Sequence, residues 1–194
     1  MSAEAAAPGL AYSWLPRLGG AGVRLRLAPP DLYWGVGLAE GHIALSDISD
    51  VRLRFVPARF GSPSYEIELA GRSGARVKVG SISRLSITGV RDQRAEFGAF
   101  VRALHAALAS AGGRVSFRGG YAPWRFWLMA VMGAVAGAGL VAVFAAALMD
   151  RQWNYALFLG VLSAFVMWPT AQMIWRNRPV SYTPQDIPAH LLPA

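Results

Sequence analysis

Apolar and charged residues alternate through much of the first eighty positions. Val23-Arg24-Leu25-Arg26-Leu27, Val51-Arg52-Leu53-Arg54-Phe55 and Tyr65-Glu66-Ile67-Glu68-Leu69 each sort apolar side chains from charged ones, and Val77-Lys78-Val79 is a shorter piece. Successive side chains of a strand point to opposite faces, so this pattern predicts strands with one buried and one wet face. Leu32 to Leu38 and His42 to Leu45 are further apolar candidates. Pro29-Pro30-Asp31, Glu40-Gly41, Pro57 to Pro63 and Gly71-Arg72-Ser73-Gly74 read as the turns between them. Together they predict an antiparallel sheet.

The period then changes. Phe97, Phe100, Val101, Leu104 and Leu108 recur at helical spacing and predict an amphipathic helix over 92–111 that packs on the sheet. Asp92 suits its N-cap and Gly112-Gly113 its stop. The Ser/Thr-rich stretch from Ser81 to Ser86 predicts a loop before that helix. Val115-Ser116-Phe117 predicts a short last strand before a Gly119-Gly120 hinge.

Beyond Arg125 the alternation disappears. Phe126 to Met149 and Tyr155 to Trp175 hold no Asp, Glu, Lys, Arg or His. At about 1.5 Å per helical residue each is long enough to cross a hydrocarbon core of about 30 Å. The expected organisation is a flexible N-terminal segment over 1–20, a cytosolic β-rich domain over 21–118 and a hinge over 119–125. Transmembrane helices over 126–149 and 155–175 follow, joined by an external loop over 150–154, and a cytosolic Pro-rich tail occupies 176–194. The fold class is α+β: an antiparallel sheet or partly open barrel capped by one helix, followed by a helical hairpin.

Flanking charge sets the expected orientation. Arg114, Arg118 and Arg125 precede the first span and Arg176 and Arg178 follow the second, whereas the connector holds one acid and one base. Positive flanks stay on the cytoplasmic side, so both termini are expected there. Trp124, Arg125, Trp127, Trp153, Trp175 and Arg176 are the expected interface anchors. Gly133 with Gly137, and Gly160 with Ala164, offer small-residue steps for close helix packing. Spans without ionisable groups suit an anchor rather than an ion path.

Net charge is +8 and cysteine is absent, which excludes disulfides and thiolate chemistry. The charge invites a nucleic-acid reading, but the alternation places Glu66 and Glu68 between Arg52 and Arg54 on one side and Arg76 and Lys78 on the other. Cross-strand pairing of these charges fixes register, so no nucleic-acid partner is expected. Arg24, Arg26, Arg91, Arg94 and Arg118 form a basic edge that can face anionic lipid. No phosphate-cradling glycine loop, metal-ligand spacing or nucleophile elbow occurs. No catalytic residue, cofactor or metal is expected, and an enzyme of unknown class is the remote alternative.

Short antiparallel strands closed by one amphipathic helix resemble a pleckstrin-homology-like domain over about residues 21–117. Bacterial membrane proteins that join such a domain to transmembrane helices are similar in architecture. The resemblance rests on element order and implies lipid or protein binding at a bacterial inner membrane. In lipid-binding members a basic cluster surrounds the first strand-to-strand loop. Arg24 and Arg26 match it, while the loop Ala28-Pro29-Pro30-Asp31 carries no base. The expected function is a scaffold or regulatory subunit of a membrane assembly. Its partners would be membrane lipids together with a protein or a second copy of the chain, and anionic-lipid sensing is the alternative.

Overall fold

The computed structural model describes residues 9–16, 20–57, 63–86 and 89–193. They form a mixed α+β structure. Strands β1 (Leu10–Trp14), β2 (Val23–Ala28), β3 (Asp31–Val36) and β4 (Ala39–Ala44) make an antiparallel sheet in sequential order. A 3-10 turn over Leu45–Asp47 leads into β5 (Ile48–Val56), which pairs antiparallel with β6 (Ser64–Gly71), and β6 pairs with β7 (Arg76–Gly80). β8 (Ile82–Arg84) and β9 (Val90–Asp92) form a two-stranded ribbon ahead of helix α1 (Arg94–Ser110).

The next elements depart from a simple serial order. β10 (Ser116–Gly119) returns to lie parallel to β5, with Phe117 opposite Val51. Parallel neighbours need a long crossover, here everything from β6 through α1. Helices α2 (Pro123–Met149) and α3 (Trp153–Arg176) follow as a hairpin, and β11 (Val180–Ser181) then pairs with β10. The larger sheet therefore reads β11-β10-β5-β6-β7. The hairpin is inserted between two adjacent strands of the domain rather than appended to its end.

Alternation produces the core as expected. Leu25, Leu32, Ile48, Val51, Leu53, Ile67 and Leu69 are buried, and so is the whole α1 stripe of Phe97, Phe100, Val101, Leu104 and Leu108. Tyr12 of β1 stacks on Phe100 at 5.5 Å and meets Phe97 edge-on at 5.9 Å. The tail contributes as well, for Leu191 and Leu192 belong to the same buried cluster.

Several local expectations are corrected. Residues 10–14, inside the segment expected to be flexible, form β1; the rest of 1–20, apart from Gly9, Leu15, Pro16 and Gly20, lies outside the described residues. Glu40-Gly41 lies inside β4, not in a turn; the reversal is at Gly37, whose φ of 61° favours glycine, and Leu38. Gly41 serves a different purpose: a Cβ there would meet the Trp34 ring at 2.8 Å, so the ring covers the bare backbone opposite it. The Ser81–Ser86 loop is partly strand, because Ser81 and Ser83 are buried and bonded. Ser81 Oγ accepts from Tyr65 N–H at 2.9 Å and Ser83 Oγ accepts from Leu15 N–H at 3.0 Å. Gln93, not Asp92, occupies the N-cap position of α1.

α2 and α3 are both long and apolar enough to cross a membrane. In the most apolar eighteen residues of α2 none is buried, and in those of α3 6% are, unlike core helices of a soluble protein. Among their sheltered positions a series repeats by fours and threes: Phe126, Ala130, Gly133, Gly137, Leu140, Phe144 and Ala147 on α2, and Ala156, Gly160, Ser163, Met167, Thr170 and Ile174 on α3, with Leu159 buried beside Ala156. That spacing is a coiled-coil seam, so the helices pack on one another. A Cβ on Gly133 would meet Ile174 at 3.0 Å, one on Gly137 would meet Met167 at 3.3 Å, and one on Gly160 would meet Phe144 at 3.4 Å. Ala164 faces outward instead, and Ser163 takes its expected place on the seam.

Candidate membrane-proximal site

Both ends of the hairpin are fastened to β5. The Gly120 N–H donates to the Leu53 carbonyl at 2.8 Å, and the Tyr121 N–H donates to the Asn177 carbonyl at 2.9 Å. Asn177 is fully buried at the end of α3. Its Nδ2 donates to the carbonyls of Phe55, at 2.6 Å, and Met173, at 2.9 Å, while its Oδ1 accepts from the Phe55 N–H at 2.9 Å. The amide side chain thus pairs with both backbone groups of Phe55, where the β10 ladder on β5 has ended. The Arg176 guanidinium lies over the Phe55 ring, 4.5 Å from its centre.

The hinge expected over 119–125 is therefore a packed joint. Gly119 faces Leu191 and Val180 at distances that leave no room for a Cβ. Gly120 has φ of 74° and lies against the carbonyls of Asn177 and Arg178. Glycine is used here for close approach of backbone to backbone, not for mobility. The tail after Arg178 is likewise part of the domain. Tyr182 stacks on His105 at 5.8 Å, and His105 Nε2 lies 3.0 Å from the Tyr182 hydroxyl. His105 Nδ1 faces the Val101 carbonyl at 2.7 Å and so carries the ring proton, which leaves Nε2 to accept from Tyr182. Burial lowers the His105 pKa, keeping the ring neutral.

Next to this joint, the outer face of the five-stranded sheet and the start of α2 enclose an open basin of about 500 Å³. Alternation aims Asp50, Arg52 and Arg54 of β5, Glu68 of β6, Arg76 of β7 and Arg118 of β10 to this one face. Tyr121 and Arg125 close it from the helix side. Five arginines thus meet two carboxylates. Arg54 donates to Glu68 at 2.6 Å, and Lys78 pairs with Glu66 beside them at 2.8 Å. Asp50 Oδ1 lies 3.2 Å from Arg118 Nε, near enough for attraction though not aligned as a hydrogen bond. Burial raises the Tyr121 pKa, so its hydroxyl keeps its proton.

The cross-strand ion pairing expected of this meander forms in part and diagonally: Arg54 and Lys78 pair with glutamates, whereas Arg52 lies nearest Asp50 of its own strand, at 4.0 Å, and Arg76 has no acid partner among the described residues. Arg54 stands opposite Glu66 and bonds to Glu68, one step along. The five arginines expected to face lipid do not converge. Arg24 pairs with Glu40 at 3.1 Å across Gly35, and Arg26 lies 4.6 Å over the Tyr33 ring; both line a second open depression, of about 630 Å³, on the outer face of the four-stranded sheet. Arg91 is on β9, and Arg94 is tied to Asp92 at 2.8 Å, a contact that lowers the Asp92 pKa. Arg118 joins the basin. Among the expected interface anchors, Trp124, Trp127, Trp153 and Trp175 are exposed at the two ends of the hairpin.

Compared with protein-family models, curated proteins and solved structures, the chain matches none.

Sequence reasoning missed the basin for a definable reason. In the sequence pattern Arg52, Arg54 and Arg76 each have an acid to pair with on the neighbouring strand. Only the non-local parallel pairing of β10 with β5 brings Arg118 to their face, and only the inserted hairpin adds Arg125. A signal did exist: Arg118 alternates with Phe117 as Arg52 alternates with Val51.

Proposed function

We propose that this protein is a membrane-anchored interaction module of a bacterial inner membrane, its sheet domain cytoplasmic, that serves as a scaffold or regulatory subunit of a membrane assembly. The observation that carries this reading is the joint at Asn177. A hairpin inserted between β10 and β11 and bonded to Phe55 presents the domain in one attitude towards the bilayer. A domain held in place loses less freedom on docking with a neighbouring membrane protein than one on a loose tether, so rigid presentation favours assembly. A pleckstrin-homology-like identity is part of the proposal, supported by strands β1 to β7 in two sheets followed by α1. So is a binding role, supported by the gathering of five arginines and two carboxylates on one open face.

Two measurements test it. A photocrosslinking residue at Tyr33, on the exposed outer face of the first sheet, should give discrete protein adducts in native membranes; a smear or none at all rejects the scaffold role. Reporter fusions at Ser2, Gln152 and Ala194 should read inside, outside, inside, and any other pattern rejects the orientation.

A further inference from the structure

We propose that the arginine basin binds the phosphate of an anionic glycerophospholipid at the bilayer surface, beside the entrance of α2. The proposal rests on the membrane reading above and adds to it a ligand class and a site.

Three observations converge. First, the basin is built but unbalanced. Arg54 and Arg118 are held by Glu68 and Asp50, whereas Arg76 and Arg125 have no carboxylate within 4 Å among the described residues. Arg54 Nε is buried and lacks a hydrogen-bond partner. A guanidinium fork matches two phosphate oxygens, and a buried spare donor gains most from an anion. Second, Tyr121 offers a hydroxyl from the same wall, and the volume of about 500 Å³ is that of a small-ligand site.

Third, position selects a lipid over a soluble phosphate compound. The basin ends at Trp124 and Arg125, and the chain is uncharged and apolar from Phe126 to Met149. Trp124 is 66% exposed, as an aromatic residue at headgroup level would be. A phosphate seated between Arg76 and Arg125 would have its acyl chains alongside the exposed flank of α2, whereas a soluble phosphate ester would place nothing there. The site differs from the edge at Arg24 and Arg91, which belongs to the other sheet and the ribbon.

The full chain in detergent, mixed with equal phosphatidylglycerol and phosphatidylcholine, is the test, read by native mass spectrometry. Preferential retention of phosphatidylglycerol is expected. The Arg76→Gln/Arg125→Gln pair should lower it about 30-fold, given about 1 kcal/mol per basic residue near an anionic surface, and Arg24→Gln/Arg91→Gln should leave it unchanged. Equal retention of the two lipids, or equal loss in both double variants, overturns the proposal. Displacement of the lipid by glycerol 3-phosphate at matched concentration overturns the lipid assignment in favour of a free phosphate ligand. If the double variant unfolds, Arg125→Gln alone decides the matter, since Arg125 is exposed and has no carboxylate partner to lose. Failure of the membrane reading looks different: the chain would then not insert into vesicles of either lipid.

Discussion

Replacing Asn177 by alanine removes three hydrogen bonds and strands the N–H and C=O of Phe55 in a buried setting. Each buried backbone group left without a partner costs about 1–3 kcal/mol, so the joint should open more easily by about 2–6 kcal/mol. Exchange of the Phe55 amide proton reads this directly. If it exchanges through local opening, its rate should rise about 30-fold at the lower bound. Spin labels at Ser73, in the exposed β6–β7 turn, and at Gln152, in the exposed hairpin connector, report the mechanical side. The native chain should give one narrow distance distribution, and Asn177→Ala a broad one. A broad distribution in the native chain, or unchanged Phe55 exchange in the variant, would refute the idea that this amide locks the domain to the hairpin.

Gly120→Ala should cost more than about 3 kcal/mol in thermal unfolding, because φ is positive and the new Cβ meets backbone that cannot move. Gly119→Ala meets the side chains of Leu191 and Val180, which can yield, and should cost less; Gly139→Ala has open space and should be close to neutral. Acid should loosen the tail. The His105 pKa is lower folded than unfolded, so its contribution is complete above about pH 6.5 and is lost as pH falls from there towards the folded pKa. The midpoint of unfolding should therefore drop between pH 7.5 and 5, and His105→Gln should flatten that dependence. Glu68→Gln should cost about 1 kcal/mol in chemical denaturation, the worth of a largely sheltered ion pair at the surface of a sheet.

How much was legible in the sequence depends on how local each cause is. β2, β5, β6 and β7 follow from alternation, and α1 from its stripe, because burial on one face needs only a periodic pattern. β8 was hidden because Ser81 and Ser83 look like loop residues yet are buried by bonding to Tyr65 and Leu15. β1 was hidden by its brevity and by Pro16 just beyond it. The pairing of β10 with β5 joins residues more than sixty positions apart, which no local pattern records. The basin inherits that difficulty, since each of its arginines has an unremarkable neighbour in sequence.

The insertion of the hairpin into the sheet has a consequence for how the protein is made. Synthesis runs from the N-terminus, so β1 to β10 leave the ribosome before either span, while Asn177, β11 and Leu191 leave after both. Until then β10 is an open sheet edge, the kind that aggregates or attracts chaperones, and the backbone of Phe55 lacks its partner. The last stitch of the domain can be placed only when α3 has returned to the side from which α2 departed. If the hairpin spans a membrane as proposed, completion of the fold reports that threading has succeeded, and a chain stalled halfway keeps β10 and Phe55 without their partners.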